Sequence, residues 1–114
     1  MKTYGLTICL QDDPAKIESY KEYHLAVWPD VTRKLREAGV HEMRIFLLER
    51  RMFMYIETTD EFVPSDLVRV NEDPATAKWN EIMATLQERA PEAAPGDWWA
   101  PMELVFDMSW PQHR

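Results

Sequence analysis

Apolar and polar residues alternate over three stretches of this chain, and a period of two is the signature of a strand. In residues 3–10, Tyr4, Leu6, Ile8 and Leu10 point one way, while Thr3, Gly5, Thr7 and Cys9 point the other. In residues 41–48, Met43, Ile45 and Leu47 share one face. Residues 52–58, Met-Phe-Met-Tyr-Ile-Glu-Thr, form a third strand, and the short turn Glu49-Arg50-Arg51 folds it back on the second as a hairpin. A last strand is predicted over 102–108. Asp13-Pro14 and Asp73-Pro74 each read as a helix start, with Asp as N-cap and Pro at the first helical position. The first helix is expected to run towards Ala38, closed by Gly39 and bent just after Trp28, because Pro29 removes one amide donor. The second is expected over about 74–90, with Trp79, Met83, Leu86 and Ala90 as its apolar stripe. Residues 60–72 read as a loop with a short helical turn, and residues 91–101 as a Pro-rich loop holding Trp98 and Trp99.

The order β-α-β-β-α-β predicts an α+β fold of the ferredoxin-like kind: a four-stranded antiparallel sheet with both helices on one face. The strands carry large residues on both faces, and the helices cover only one. The uncovered face predicts a homodimer, sheet against sheet, in the manner of a dimeric α+β barrel. A single domain is expected over residues 1–108, with a C-terminal tail over 109–114.

Composition narrows the field. At 114 residues and 46% apolar, with five Trp and seven Met, the chain is globular and long enough for one core. A net charge of −7 argues against a nucleic-acid or anionic-membrane partner. No apolar run approaches ~18 residues, so no transmembrane helix is expected. The first residues are too polar for a signal peptide, and Cys9 is alone, so a reducing cytoplasm is the default location. Cys9, inside a strand, reads as a small core residue.

The candidate chemistry centres on Tyr20, His24 and Trp28. Spaced four apart, they fall on one face of a helix together with Ile17, Val31 and Leu35. An imidazole titrates near neutral pH, so His24 can give or take a proton. A phenol one turn away can orient it or bond a hydroxyl, and an indole offers a flat wall for the C–H side of a sugar ring. The alternative for His24 is a core histidine bonded to a carbonyl. Trp79 either packs in the core or joins the wall, with Asn80 beside it able to bond a hydroxyl. Trp98 and Trp99 either cap the core or line a pocket. Glu57 and Glu103 lie on predicted strands, where Glu is disfavoured. Each is either a solvated carboxylate or the acid–base partner of His24. His41 opens a strand, and His113 lies in the tail and is discounted. No spacing of His, Cys, Asp and Glu suggests a metal site, and there is no glycine-rich phosphate loop or nucleophile elbow. No cofactor is demanded.

Tyr20-x-x-x-His24-x-x-x-Trp28-Pro29, joined by Gly39-Val-His41, Phe53-Met-Tyr-Ile-Glu57, Trp79 and Glu103, resembles the L-rhamnose mutarotase family over nearly the whole chain. The resemblance implies a cofactor-free, dimeric α+β enzyme that interconverts the anomers of a 6-deoxy-L-sugar. It implies His24 as the proton donor, delivering to the ring oxygen, and Tyr20 and Trp79 as sugar contacts. Trp28, Asn80, Trp99 and Glu103 complete the expected binding set, with Tyr20, Glu103 or water as the base. Met43 and Asn80 stand where rhamnose enzymes place a tyrosine and a second tryptophan. The loop Pro95-Gly96-Asp97-Trp98-Trp99 with Met102-Glu103 is more similar to the fucose branch, so L-fucose is expected over L-rhamnose. Two rival readings share this architecture: a haem-binding protein or cofactor-free monooxygenase, and a non-catalytic sugar-binding protein.

Overall fold

A computed structural model describes residues 1–111; His113 and the end of the tail lie outside the described residues. The chain folds as β1 (Lys2–Leu10), α1 (Pro14–Leu25), α2 (Pro29–Glu37), β2 (Val40–Leu48), β3 (Arg51–Thr58), α3 (Asp66–Arg69), a 3-10 turn over Val70–Glu72, α4 (Pro74–Ala84), β4 (Gln87–Glu88) and β5 (Ala100–Met102). The strands form one antiparallel sheet in the order β2-β3-β1-β4, with β5 also pairing with β1. The α+β architecture and its hairpin follow the expected pattern. Leu6, Met54 and Ile45 align across β1, β3 and β2, as do Ile8, Met52 and Leu47.

Both Asp-Pro starts are helix caps. Asp13 accepts from the Ala15 amide at 2.9 Å, and Asp73 accepts from Ala75 and Thr76 at 3.2 and 3.3 Å. Such a cap is typically worth ~1 kcal/mol. Gly39 ends α2 with φ +108°, a conformation that L side chains rarely adopt, and a Cβ there would lie 2.8 Å from the Thr59 hydroxyl.

Three boundaries depart from the sequence expectation. The first helix does not bend at Pro29 but stops: α1 ends at Leu25, and α2 begins afresh at Pro29. A proline fixes the residue before it in extended backbone, and Trp28 has φ −59° and ψ 133°. The second main helix ends at Ala84, not near 90. Leu86 and Ala90 are buried, but they belong to the chain after the helix, where Gln87 and Glu88 pair with Leu10 and Cys9. The last strand covers Ala100–Met102, and the apolar residues Leu104, Val105 and Phe106 beyond it are exposed.

The helices cover one face of the sheet. Leu6, Ile8, Leu10, Met52, Met54 and Ile56 are buried beneath them. The other face carries Phe46, Phe53 and Met102, all exposed. Cys9 belongs to this open face, half-buried and free, and so is not part of the helix-side core. Among the described residues, no helix is long and apolar enough to cross a membrane.

Candidate active site

Between the helices and the sheet lies a cavity of about 280 Å³, close to the lower end of the size range of small-molecule pockets. It lies along a seam in the core. One buried cluster contains Tyr20, Trp79 and Met83; the other contains Leu6, Met54 and Phe62. Leu35, Ile45 and Trp99 pack against both.

The C-terminal half of α1 places Tyr20 and His24 on the cavity wall, four residues apart on one helix face. Their rings stack with centroids 4.0 Å apart and planes at 24°. The His24 Nδ1 lies 2.8 Å from the Tyr20 carbonyl oxygen. A carbonyl only accepts, so Nδ1 carries the proton, and in the neutral ring Nε2 bears the lone pair. Burial lowers the His24 pKa below its ordinary 6.5, and the carbonyl bond opposes this more weakly. Near pH 7 the imidazole is therefore neutral, with Nε2 as an acceptor. Burial pushes the Tyr20 phenol far above its ordinary 10, against a smaller opposing effect of the Gln87 side chain. Tyr20 stays protonated and cannot serve as a base at neutral pH.

Trp79 is 5% exposed and is held by three aromatic neighbours. Its ring meets those of Trp28, His24 and Tyr23 edge-on, at 5.2, 5.4 and 5.9 Å. Asn80, next on α4, also lines the cavity. The loop after β4 supplies Asp97, Trp98 and Trp99. That loop is tied down by Arg89, whose guanidinium donates to the carbonyls of Asp97, Ala93 and Ala94 at 2.7, 2.8 and 2.9 Å. The Ala90 amide adds a bond to the Trp98 carbonyl at 2.9 Å.

Tyr20, His24, Trp79, Asn80 and Trp99 thus come together as expected. Trp28 does not line the cavity; with the helix broken it sits behind Trp79 as a packing wedge. Glu103 also falls outside: it follows β5 and is exposed, so it faces no cavity group. Glu57 lies on the open face and accepts from the Tyr55 hydroxyl at 2.7 Å, which removes it as a partner of His24. His41 is exposed at the bulge between Val40 and Glu42. Three polar residues of the wall, Thr76, Gln87 and Asp97, were not foreseen. Gln87, 8% exposed, lay inside the predicted helix, where its burial left no trace in the pattern. Asp97 lay in a loop where acidic residues are ordinarily solvated. Among the described residues, no group of three or more His, Cys, Asp or Glu side chains is arranged to hold a metal ion.

This combination of a proton-transferring imidazole, aromatic walls and amide or carboxylate hydrogen-bonding groups matches an amphipathic, hydroxyl-bearing ligand. Comparison with known proteins points the same way. A UPF0734 protein of Dictyostelium discoideum is 38% identical, covering 96% of this chain and 91% of its own. An L-fucose mutarotase of Xanthomonas campestris is 32% identical over 88% of this chain and 82% of its own. The fold superposes on the crystal structure of an L-rhamnose mutarotase from Formosa agariphila with a TM-score of 0.72 at 22% identity, covering 96% of this chain and 100% of that one. The family model for L-rhamnose mutarotase matches residues 3–108. The chain belongs to the L-rhamnose mutarotase family, a family of carbohydrate isomerases.

Proposed function

We propose that this protein interconverts the α and β anomers of a 6-deoxy-L-hexose, L-fucose in preference to L-rhamnose, with His24 as its acid–base residue. One observation carries the reading. The ring of His24 is anchored through Nδ1, neutral at pH 7, and set in the wall of a cavity the size of one sugar.

Anomer exchange needs the proton of the anomeric hydroxyl removed and a proton placed on the ring oxygen, while the bond between C1 and the ring oxygen breaks. Both oxygens are bonded to C1. A single nitrogen therefore reaches both: Nε2 takes the proton from the anomeric hydroxyl, and the imidazolium so formed hands it to the ring oxygen. The open aldehyde turns about its C1–C2 bond and recloses by the reverse steps. No group is oxidised, and no covalent enzyme intermediate forms. Tyr20 stacks on the imidazole and holds it in place. Trp79 and Trp99 offer flat walls, and Asn80, Gln87 and Asp97 meet hydroxyls. Preference for L-fucose is supported by the 32% identity to an L-fucose mutarotase over 88% of this chain.

The working unit is a homodimer formed through the open face of the sheet. Phe46 and Leu48 are left 58% and 70% exposed, and Leu104, Val105 and Phe106 after the last strand are exposed apolar residues as well. A second copy presents the same groups and satisfies both.

Saturation-transfer NMR on the anomeric protons of L-fucose tests the activity. The expected result is exchange well above the uncatalysed rate with the wild type and loss of most of it with His24→Ala. Sugar binding with no rate enhancement would replace the proposal with a sugar-binding protein.

A further inference from the structure

The hydrogen-bonding groups of the cavity are segregated. Tyr20, His24, Thr76, Asn80, Gln87 and Asp97 come from α1, α4, β4 and the loop that follows it. The cavity surface supplied by β1, β2, β3, α2 and α3 is wholly apolar: Leu6, Met43, Ile45, Met54, Leu35 and Leu67 are among its side chains. Leu6 and Met54 are 2% and 5% exposed, are paired with each other in the ladder, and belong to the second core cluster, against which Met43, Ile45 and Leu67 pack. Strand β3 lies between β2 and β1, and Leu6 sits opposite both Met54 and Pro101. Strands β1 and β3 are paired on both sides, the Leu67 amide donates to the Pro64 carbonyl at 3.1 Å, and the thioether sulfurs of Met43 and Met54 are weak acceptors that donate nothing.

A 6-deoxy-hexopyranose has the matching asymmetry. Its ring carbons other than C5 all carry oxygen beyond the ring bond, and C5 carries a methyl. With C1 and the ring oxygen at His24 and the remaining hydroxyls towards Asn80, Gln87 and Asp97, the methyl is the part of the sugar suited to the floor. We infer that the apolar floor of Leu6, Met43, Met54 and Leu67 receives the C6 methyl and makes the site reject sugars that carry a hydroxyl there. This rests on the mutarotase reading and adds to it the residues that set the substrate class. A hydroxyl at C6 would leave water and find no partner on the floor. Apolar pockets reject an added hydroxyl by no more than about 100-fold, so the expected discrimination is roughly 10- to 100-fold.

Two pairs of sugars isolate the effect. L-Fucose and L-galactose differ only in the C6 hydroxyl, as do L-rhamnose and L-mannose. Anomer exchange is measured for all four with the wild type, Met43→Gln and Leu67→Asn. Met43 and Leu67 are half-buried, so either variant can serve if the other fails to fold. The wild type is expected to exchange the deoxy member of its preferred pair at least 10-fold faster. In each folded variant that ratio is expected to narrow several-fold, because the new amide can bond the extra hydroxyl. Equal exchange of deoxy and hydroxy members by the wild type, or an unchanged ratio in both variants, overturns the assignment of the floor while leaving the mutarotase intact. No exchange of any of the four sugars overturns the mutarotase reading and this assignment with it.

Discussion

The two faces of the sheet are written in alternate residues of the same strands, yet they end in different states. In β3, Met52, Met54 and Ile56 point under the helices and are buried, while Phe53 and Tyr55 point the other way towards solvent. The helix side closes over its apolar residues but leaves a cavity, and the polar groups of that cavity are all imported from α1, α4, β4 and a loop. The open side mixes Phe46, Leu48 and Phe53 with polar residues such as Thr7, Arg51 and Glu57, and these apolar side chains stay exposed. On the proposed reading, one face serves chemistry on a small molecule and the other association between copies. Because a strand sends neighbours to opposite faces, a single substitution can strike one function and spare the other.

The most severe break comes from His24→Ala. Loss of a positioned proton-transfer group is worth roughly 10²- to 10⁴-fold in rate, and that is the expected fall in enzyme-catalysed anomer exchange. The side chain is only part-buried and its Nδ1 hydrogen bond is to its own helix, so the fold and the proposed dimer are expected to persist by circular dichroism and sedimentation equilibrium. A variant that dissociates as well as losing activity would show that the two faces are coupled. The complementary break is Phe53→Glu. A carboxylate on the open face should split the dimer and halve the mass at equilibrium, with the cavity residues untouched. Per-protomer exchange that survives within about twofold sharpens the comparison; its collapse would mean that the cavity needs the second copy.

Much of this division was legible from alternation alone. The inward set Leu6, Ile8 and Leu10, the hairpin, both Asp-Pro caps and the Tyr20–His24 pair follow from local rules, since each depends on residues within a few positions of one another. The uncovered face was legible for the same reason. What failed was where elements stop. Trp28 seemed to continue the stripe of Tyr20 and His24, but Pro29 favours a fresh start over a kink when the preceding residue can go extended. Glu103 was expected near the site from the family resemblance and from a strand over 102–108; the strand covers Ala100–Met102 and leaves Glu103 exposed just after it. Gln87 and Asp97 reach the cavity only through the pairing of β4 with β1 and the anchoring of a loop, and non-local contacts leave no periodic mark on a sequence.

The loop anchor supplies a smaller effect. Arg89 is exposed and binds three carbonyls rather than a carboxylate, so its role is to hold Asp97, Trp98 and Trp99 at the cavity wall. Arg89→Met keeps much of the stem but removes the fork. A loss of about 1 kcal/mol for exposed hydrogen bonds of this kind corresponds to a roughly fivefold rise in KM with kcat nearly unchanged. A fall in kcat with KM constant would mean that the loop shapes the reacting groups instead of the sugar's seat. The open face should not register this change at all.

The smallest effect, and the one that tests the protonation state directly, is the response to pH. The His24 pKa is lowered by burial, so the neutral ring that starts the reaction is the dominant form throughout neutral and mildly alkaline conditions. Enzyme-catalysed exchange is expected to vary by less than about twofold from pH 7 to 9 and to decline only as pH drops through the lowered value, below 6.5. The sign for stability is the same. The unfolded chain binds the imidazole proton more readily than the folded one, so this residue weakens the fold as pH falls below 6.5. Chemical denaturation at each pH therefore has to accompany the rate measurement, so that loss of folded protein is not counted as loss of catalysis. A rate that rises as pH falls from 7 to 6, with the folded fraction constant, would mean that the imidazolium begins the reaction and that the proton first goes to the ring oxygen. The open face offers an internal control: the apolar groups proposed to join the two copies do not titrate, so dimer mass at equilibrium should stay level across the interval in which His24 gains its proton.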